Sequence, residues 1–157
     1  MQVYHLPSQK TTLLRDMIRQ LSDGNASIKG STIGVVDERS EIGGCYRGVP
    51  QNQLGIRTDI LDCSPKGEGM MMLVRTMAPQ IIAVDEIGTE EDIRAIEYAI
   101  HCGCRMLVTV HGESYEDIRL KPAFSRIIKD KVFKRFVVLN TKKQIAGIYN
   151  EKGEKIG

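Results

Sequence analysis

The stretch Ile81-Ile82-Ala83-Val84-Asp85-Glu86 decides the fold, because four apolar residues run directly into two adjacent carboxylates. A short apolar run without polar alternation predicts a strand that is buried on both faces of a parallel sheet. Two acids at the end of such a strand are costly to desolvate unless they hold a metal, pair with a base or face a cleft. The stretch therefore predicts both a buried strand and a candidate site at its end.

The carboxylate pair has a chemical interpretation and a structural one. In P-loop nucleotidases, an Asp at the end of a buried strand holds Mg²⁺, and a Glu that follows it can activate water. The alternative is a buried strand that ends at a solvated acidic turn. A second motif, described below, favours the nucleotidase interpretation.

Length and composition predict one ordinary globular domain. The chain has 157 residues, of which 41% are hydrophobic and 27% charged, with a formal net charge of +2. No apolar run approaches the roughly 20 residues needed to cross a bilayer, and no export signal is recognisable. The four cysteines fit no zinc or redox spacing. We therefore expect a cytoplasmic chain without direct membrane insertion, peripheral to a membrane only through partners.

Periodicity predicts helices that alternate with strands. Helices are predicted at 10–21, 67–77, 89–102, 114–120 and 123–131, and strands at 32–36, 80–84, 105–110, 136–139 and 144–149. The last two strands form a hairpin through residues 141–143, and residues 41–62 are predicted to be mostly loop. This alternation predicts an α/β sandwich with a mostly parallel sheet, a core at 1–150 and a polar tail at 151–157.

Three polar segments follow predicted strands directly. They are 37–38, 85–86 and 109–111. Because ligands of such sheets bind beyond the carboxyl ends of the strands, we expect these segments to gather along one edge.

The second motif is Lys10-Thr11-Thr12, which opens the first predicted helix. In the phosphate loop G-x-x-x-x-G-K-[ST], the Lys reaches the β/γ phosphates, the Thr hydroxyl binds Mg²⁺ and the helix N-terminus adds partial positive charge. The alternative is an ordinary helix start. Together with Asp85 and Glu86, the motif favours a nucleotide site.

The phosphate loop is incomplete in this sequence. Gln9 and Tyr4 stand where the pattern requires glycines, and Pro7 removes one amide donor. Glycine is used where φ is positive or where the chain must approach phosphate closely. Only residues 1–5 are available for the preceding strand, and they are a poor candidate for a central strand. We therefore expect the first strand and the phosphate loop to be incomplete.

Four segments resemble the stage III sporulation protein AA family. They are KTTLLRD (10–16), VVDERSEIGG (35–44), MMMLVRTMAPQIIAVDEIG (70–88) and MLVTVHG (106–112). The resemblance implies a RecA-like P-loop ATPase related to the ATPases of type II and type IV secretion. It also implies that this chain corresponds to the C-terminal part of the family protein, with the N-terminal part missing.

The resemblance implies roles for individual residues. Lys10, Thr11 and Thr12 match the ATP-binding positions, and Thr11 with Asp85 matches the Mg²⁺ ligands. Glu86 matches the water activator, while Glu38 and His111 resemble an acidic element and a histidine box of secretion ATPases. The alternatives are a surface ion pair of Glu38 with Arg39 or Lys29 and a hydrogen-bonded neutral His111 at a strand end.

Three arginines are candidates for a finger delivered to a neighbouring subunit, namely Arg47, Arg57 and Arg75. Arg75 resembles an arginine that precedes the acidic strand in secretion ATPases. The alternative for each is a solvated surface side chain.

Three functions follow from these features. The first is an ATPase that forms a homo-oligomeric ring, uses ATP and Mg²⁺, and drives a membrane channel or secretion-like apparatus with other stage III sporulation proteins. The second, favoured by the missing glycines, is a non-catalytic structural subunit or a truncated remnant without nucleotide binding. The third, a nucleic-acid module, is disfavoured by the near-neutral charge and by the absence of a basic stripe with interleaved aromatics.

Overall fold

Strands and helices alternate along the part of the chain that the computed structural model describes, residues 2–4, 7–142 and 144–157. The strands are β1 (Gln2–Tyr4), β2 (Ile33–Asp37), β3 (Thr58–Asp62), β4 (Ile81–Ile87), β5 (Arg105–Val110), β6 (Arg135–Leu139) and β7 (Ile145–Asn150). The helices are α1 (Pro7–Asp23), α2 (Lys66–Thr76), α3 (Glu90–His101), α4 (Tyr115–Leu120) and α5 (Pro122–Lys129).

The strands form one seven-stranded sheet in the order β3-β2-β4-β5-β1-β6-β7. All neighbouring pairs are parallel except β6 and β7, which form an antiparallel hairpin. The predicted α/β fold with a mostly parallel sheet is confirmed. Position 143 of the predicted turn lies outside the described residues.

Strand β1 occupies the interior of the sheet, which corrects the prediction of a poor central strand at residues 1–5. Gln2, Val3 and Tyr4 pair in parallel with Val108–Val110 of β5 on one side and with Phe136–Val138 of β6 on the other. Backbone hydrogen bonds from two neighbours hold this strand, so its weak sequence pattern does not decide its place. The strand is three residues long, and Met1 and His5 lie outside the described residues.

The two faces of the sheet are covered by different helices. On one face, Leu14 and Ile18 of α1 pack against Val35, Ala83 and Leu107. On the other, residues of α2–α5 pack against the alternate strand positions, among them Val36, Val84 and Val108. Residues two apart on a regular strand share a face, so the odd-numbered positions of β2 and β5, and of β4 before its irregularity near Glu86, point toward α1.

Two predicted boundaries are wrong. The loop predicted at 41–62 ends in strand β3, an edge strand whose residues are mostly half-buried and therefore lack a clear hydrophobic pattern. Helix α1 begins at Pro7, three residues before the predicted start at Lys10. Proline is favoured in the first turn of a helix because its fixed φ suits the helix and its missing N–H has no intrahelical partner there.

The predicted helix signals are confirmed at two places. Gly24, with φ of +74°, ends α1 and donates its N–H to the Gln20 carbonyl. Thr89 and Asp92 form a capping box at the start of α3.

Residues 151–157, predicted as a polar tail, turn back so that Ile156 and Gly157 bond to Ile148 of β7. Within the described residues, no helix is long and apolar enough to cross a bilayer.

Candidate functional site

The alternation of side chains on β4 and β5 brings the candidate site to the α1 face of the sheet. Ile81 and Ala83 pack beneath α1, and Asp85 continues the same series at the carboxyl end of β4. Leu107 and Thr109 form the equivalent series on β5. Helix α1 therefore faces the carboxylate of Asp85 along the edge where the strands end.

Two hydroxyl groups hold the Asp85 carboxylate. Thr11 Oγ1 donates to Asp85 Oδ2 at 3.1 Å, and Thr109 Oγ1 donates to Asp85 Oδ1 at 3.0 Å. Thr11 and Thr109 are buried, at 4% and 0% exposure, whereas Asp85 is half-buried. Both oxygens of the carboxylate are therefore fixed in direction.

The backbone of Glu86 adopts a conformation that side chains rarely take. Its φ is +50°, and the register between β4 and β5 shifts between Val84 and Ile87. The Glu86 N–H donates to Thr109 Oγ1 at 2.8 Å, so the same hydroxyl that binds Asp85 also fixes this bulge. A left-handed residue with a β-carbon costs roughly 1–2 kcal/mol, and such strain gathers at functional sites.

The side chain of Glu86 forms an ion pair with Arg39. Arg39 Nη1 lies 3.2 Å from Glu86 Oε2, and the Glu86 side chain is 37% exposed. The predicted partners of Glu38 were Arg39 and Lys29, but Glu38 pairs instead with Lys66 Nζ at 2.9 Å. The reason is geometric: the turn after β2 directs Arg39 to Glu86, while the start of α2 brings Lys66 to Glu38.

Asp37 is a structural residue of this edge. It is 1% exposed and accepts hydrogen bonds from the backbone N–H groups of Glu41, Ile42 and Gly43 at 2.9, 3.0 and 2.7 Å. The carboxylate thus closes the turn that carries Glu38 and Arg39. The strand end at 37–38 therefore supplies one supporting residue and one exposed acid.

Lys10 places an ammonium group at the carboxyl end of β5. The residue is 3% exposed, and its Nζ donates to the carbonyl of Val110 at 3.1 Å. Burial lowers the pKa of Lys10 from its usual value, while the carboxylates of Glu86 and Asp85 oppose that shift. Among the described residues Lys10 forms no ion pair, so an incoming anion would be its natural counter-ion.

The remaining predicted residues lie around this centre. Thr12 is exposed, and its Oγ1 accepts a hydrogen bond from Arg15 Nη2 at 3.2 Å. His111 follows β5 and is exposed, and its carbonyl accepts a hydrogen bond from Lys121 Nζ at 2.6 Å. Both residues stand at the same edge of the sheet as Asp85.

The three candidate arginines lie on the surface. Arg47 stacks over the ring of Tyr46 with φ of +51°, and Arg75 lies on the exposed side of α2. Arg57 donates to the carbonyls of Ser22 and Asp23 at the C-terminal end of α1. That end is opposite to the edge that carries Asp85, so within one copy of the chain Arg57 is remote from the site.

The donor set at this edge fits a magnesium ion. Two adjacent ligands of an octahedral Mg²⁺, each at about 2.0–2.1 Å, are about 2.8–3.0 Å apart. The oxygens of Thr11 and Asp85 are 3.1 Å apart, close to that separation. Among the described residues no group of three or more His, Cys, Asp or Glu could hold a metal, and Mg²⁺ commonly takes its remaining ligands from water and phosphate.

Sequence reasoning missed three residues of the site. Thr109 was grouped with the strand ends, but its two bonds to Asp85 and Glu86 depend on the bulge in β4. Arg39 and Lys66 were not predicted to face the acidic pair. Arg39 and Lys66 line a cleft of about 10 Å³, which is room for roughly one water molecule. The other residues that line it are four acids, namely Asp37, Glu38, Asp85 and Glu86.

Comparison with known proteins identifies the chain's relatives. The family model described as "Sporulation stage III, protein AA" matches residues 4–156. Stage III sporulation protein AA of Bacillus subtilis is 44% identical over 147 residues, which cover 92% of this chain and 48% of the relative. The chain therefore spans about half the length of that protein.

Solved structures with a similar fold are secretion ATPases. The ATPase DotB of Legionella pneumophila superposes with a TM-score of 0.65 at 17% identity. The alignment covers 96% of this chain and 45% of the DotB chain. The VirB11 ATPase of the Brucella suis type IV secretion system, solved with sulphate, superposes with a TM-score of 0.63 at 14% identity. That alignment covers 96% of this chain and 47% of VirB11. These similarities establish a RecA-like fold of the secretion-ATPase type.

Proposed function

We propose that this chain, which belongs to the stage III sporulation protein AA family, is the core of an ATPase that binds and hydrolyses Mg-ATP. In this proposal residues 1–150 form the RecA-like core and residues 151–157 a polar tail. Hydrolysis drives a membrane channel or secretion-like apparatus during sporulation. The missing glycines at positions 4 and 9 imply that its activity is reduced.

The observation that carries this proposal is the hydrogen bond between Thr11 Oγ1 and Asp85 Oδ2. The two residues are 74 positions apart in sequence, yet the 3.1 Å between their oxygens is close to the spacing of adjacent Mg²⁺ ligands. One ligand comes from the second turn of α1 and the other from the end of a buried strand. That pairing is the arrangement by which P-loop nucleotidases hold their metal.

Lys10 supports the same proposal because a buried ammonium needs an anion. Its bond to the Val110 carbonyl partly compensates for its lost hydration. A phosphate group would replace that neutral partner with a charged one and would restore the pKa of the ammonium toward its usual value. Thr12 follows in the same turn of α1 and completes the proposed ATP-binding segment.

Glu86 is the proposed water-activating group. In the structure its carboxylate pairs with Arg39, and the cleft that both residues line has room for roughly one water molecule. The Arg39 side chain is 62% exposed, so it can turn toward solvent without crossing a packed core. Release of Arg39 frees Glu86 for water and makes the guanidinium available to phosphate oxygens.

Membership of the family supports a wider proposal. We propose that the chain assembles as a homo-oligomeric ring on the cytoplasmic side of a membrane, through other stage III sporulation proteins. Glu38 would stand beside the nucleotide, and His111 would couple the phosphate state to the position of a neighbouring unit.

A binding experiment with a substituted metal tests the proposal. Mn²⁺ replaces Mg²⁺, and its electron paramagnetic resonance signal reports metal bound in the presence of ATP. We expect Asp85→Asn to lose that bound metal, whereas Asp59→Asn, on the exposed face of β3, keeps it. Glu86→Gln should retain the metal and lose phosphate release by about 10²–10⁴-fold, the usual contribution of a general base. Equal metal binding in Asp85→Asn and the unmutated protein would contradict the assignment.

A non-catalytic subunit is the second candidate, and one observation favours it. Helix α1 already begins at Pro7, so positions 7–9 of the phosphate-loop pattern lie in a helix. A phosphate loop uses several consecutive amides in a longer turn. Calorimetric titration with Mg-ATP decides between the two candidates, because a structural subunit gives no heat of binding.

A further inference from the structure

Lys121 brings a second ammonium group to the carboxyl end of β5. It stands at the joint between α4 and α5, and its Nζ donates to the carbonyl of His111 at 2.6 Å. Lys10 Nζ donates to the carbonyl of Val110, the preceding residue. Two ammonium groups from different helical segments thus bind consecutive carbonyls just beyond the sheet.

The two ammonium groups bind carbonyl groups of neighbouring residues, Lys10 that of Val110 at 3.1 Å and Lys121 that of His111 at 2.6 Å. Like charges held together in this way favour an anion that contacts both. The Lys121 side chain is 37% exposed, so its free N–H groups can reach a ligand from solvent.

The partners of Lys121 leave it able to bind phosphate. An ammonium group has three N–H donors. One goes to the His111 carbonyl, and Asp117 Oδ2 lies at 3.5 Å, longer than a good hydrogen bond. Asp117 also accepts the N–H of Glu113 at 3.1 Å, which divides its charge between two donors.

We propose that Lys121 is a second phosphate-binding residue, paired with Lys10, and that the pair selects nucleotides with a polyphosphate chain over monophosphates. This inference rests on the proposed nucleotide site. It explains how a site without the two loop glycines holds a triphosphate: a side-chain ammonium supplies donors that backbone amides supply in an intact phosphate loop. A monophosphate reaches one ammonium, whereas a diphosphate or triphosphate spans both.

The competing role for Lys121 is purely structural. Its bonds to His111 and Asp117 could serve only to hold residues 111–117 against the joint of α4 and α5. Asp117→Asn separates the two roles, because it weakens that clasp but keeps the ammonium. A phosphate-binding Lys121 is then freed from a competing carboxylate, so ATP affinity should stay equal or rise.

Calorimetric titration with ATP, inorganic tripolyphosphate and AMP tests the inference. We expect Lys121→Met to weaken ATP and tripolyphosphate binding about 10- to 100-fold, the loss that corresponds to one charge-assisted hydrogen bond, with little change for AMP. Lys121→Arg should restore most of the affinity. Lys129→Met is the matched control, because it removes one positive charge at the exposed far end of α5.

The outcomes separate this inference from the proposed function. The role of Lys121 is overturned if Lys121→Met and Lys129→Met bind ATP equally well. If Lys10→Met does not bind ATP in the same experiment, the nucleotide site itself still stands. Equal losses for ATP and AMP in Lys121→Met also overturn the role of Lys121, because the polyphosphate chain is then not what the residue reads. Absence of binding in the unmutated protein refutes the nucleotide site itself, and the inference with it.

Discussion

Replacing Asp37 by alanine should destabilise the protein strongly, although the residue is not part of the proposed chemistry. Its carboxylate is 1% exposed and accepts three backbone N–H groups at 2.7–3.0 Å. Ile42 and Gly43 are buried, so their N–H groups lose their acceptor and gain no water. Glu41 is exposed, and solvent can replace its bond.

The magnitude follows from those bonds. A buried hydrogen bond to a charged acceptor contributes about 1.5–3 kcal/mol. Two such losses, reduced because the carboxylate no longer has to be desolvated, give about 3–5 kcal/mol in the free energy of unfolding. That is a large share of the 5–15 kcal/mol that is typical of a domain. The stability of Asp37→Asn should lie between that of the unmutated protein and that of Asp37→Ala, since the oxygen of the amide can accept from some of the same donors.

Urea-induced unfolding, followed by far-ultraviolet circular dichroism, measures this effect. Asp59→Ala is the control, because that carboxylate is exposed on β3 and its loss should change stability by no more than about 0.5 kcal/mol. A loss below about 1 kcal/mol in Asp37→Ala would refute the view that this carboxylate organises the turn. The m-value should stay constant, since the unfolded surface is the same.

Three further predictions concern the site and the core. Burial lowers the pKa of Lys10, so below that lowered pKa the charged ammonium destabilises the folded protein. The free energy of unfolding should therefore rise as the pH increases toward 10.5, the usual pKa of a lysine. Urea unfolding of Lys10→Met should show no such rise. Thr109→Val should lower ATP turnover about 10- to 100-fold while Thr109→Ser retains it, because the hydroxyl orients both Asp85 and Glu86; a steady-state phosphate-release assay that finds the valine variant fully active contradicts this role. Ile82→Ala, at a fully buried position of β4, should cost about 2–5 kcal/mol in urea unfolding, and a cost under 1 kcal/mol would mean that this part of the core repacks.

The parts of the fold that the sequence predicted have strong local signals. The apolar runs of β2, β4 and β5 and the caps at Gly24 and Thr89 depend on residues that are neighbours in sequence. Strands β1 and β3 were missed for the opposite reason. Their places depend on backbone pairing with strands that come from elsewhere in the chain, and backbone hydrogen bonds carry no sequence pattern.

The candidate site was predictable up to its side-chain partners. The rule that parallel strands present their carboxyl ends at one edge predicted that segments 85–86 and 109–111 gather, and Thr109 bonds to Asp85 there. The pairing of Arg39 with Glu86 was not predictable, because it depends on the turn that Asp37 closes and on the positive φ of Glu86. Both are tertiary features in which local preference is overridden.

The position of β1 sets the order in which the molecule can be completed. This strand comes first in the chain, yet its two neighbours are β5 and β6, the latter ending at Leu139. Strand β1 can pair with β5 once β5 has been synthesised, but its other side stays unpaired until β6 has left the ribosome. Pairing β1 with both neighbours joins segments that are far apart in the chain, which slows this step. Until β6 arrives, β1 exposes an interior edge of the sheet, and an exposed edge of this kind can pair with the wrong strand.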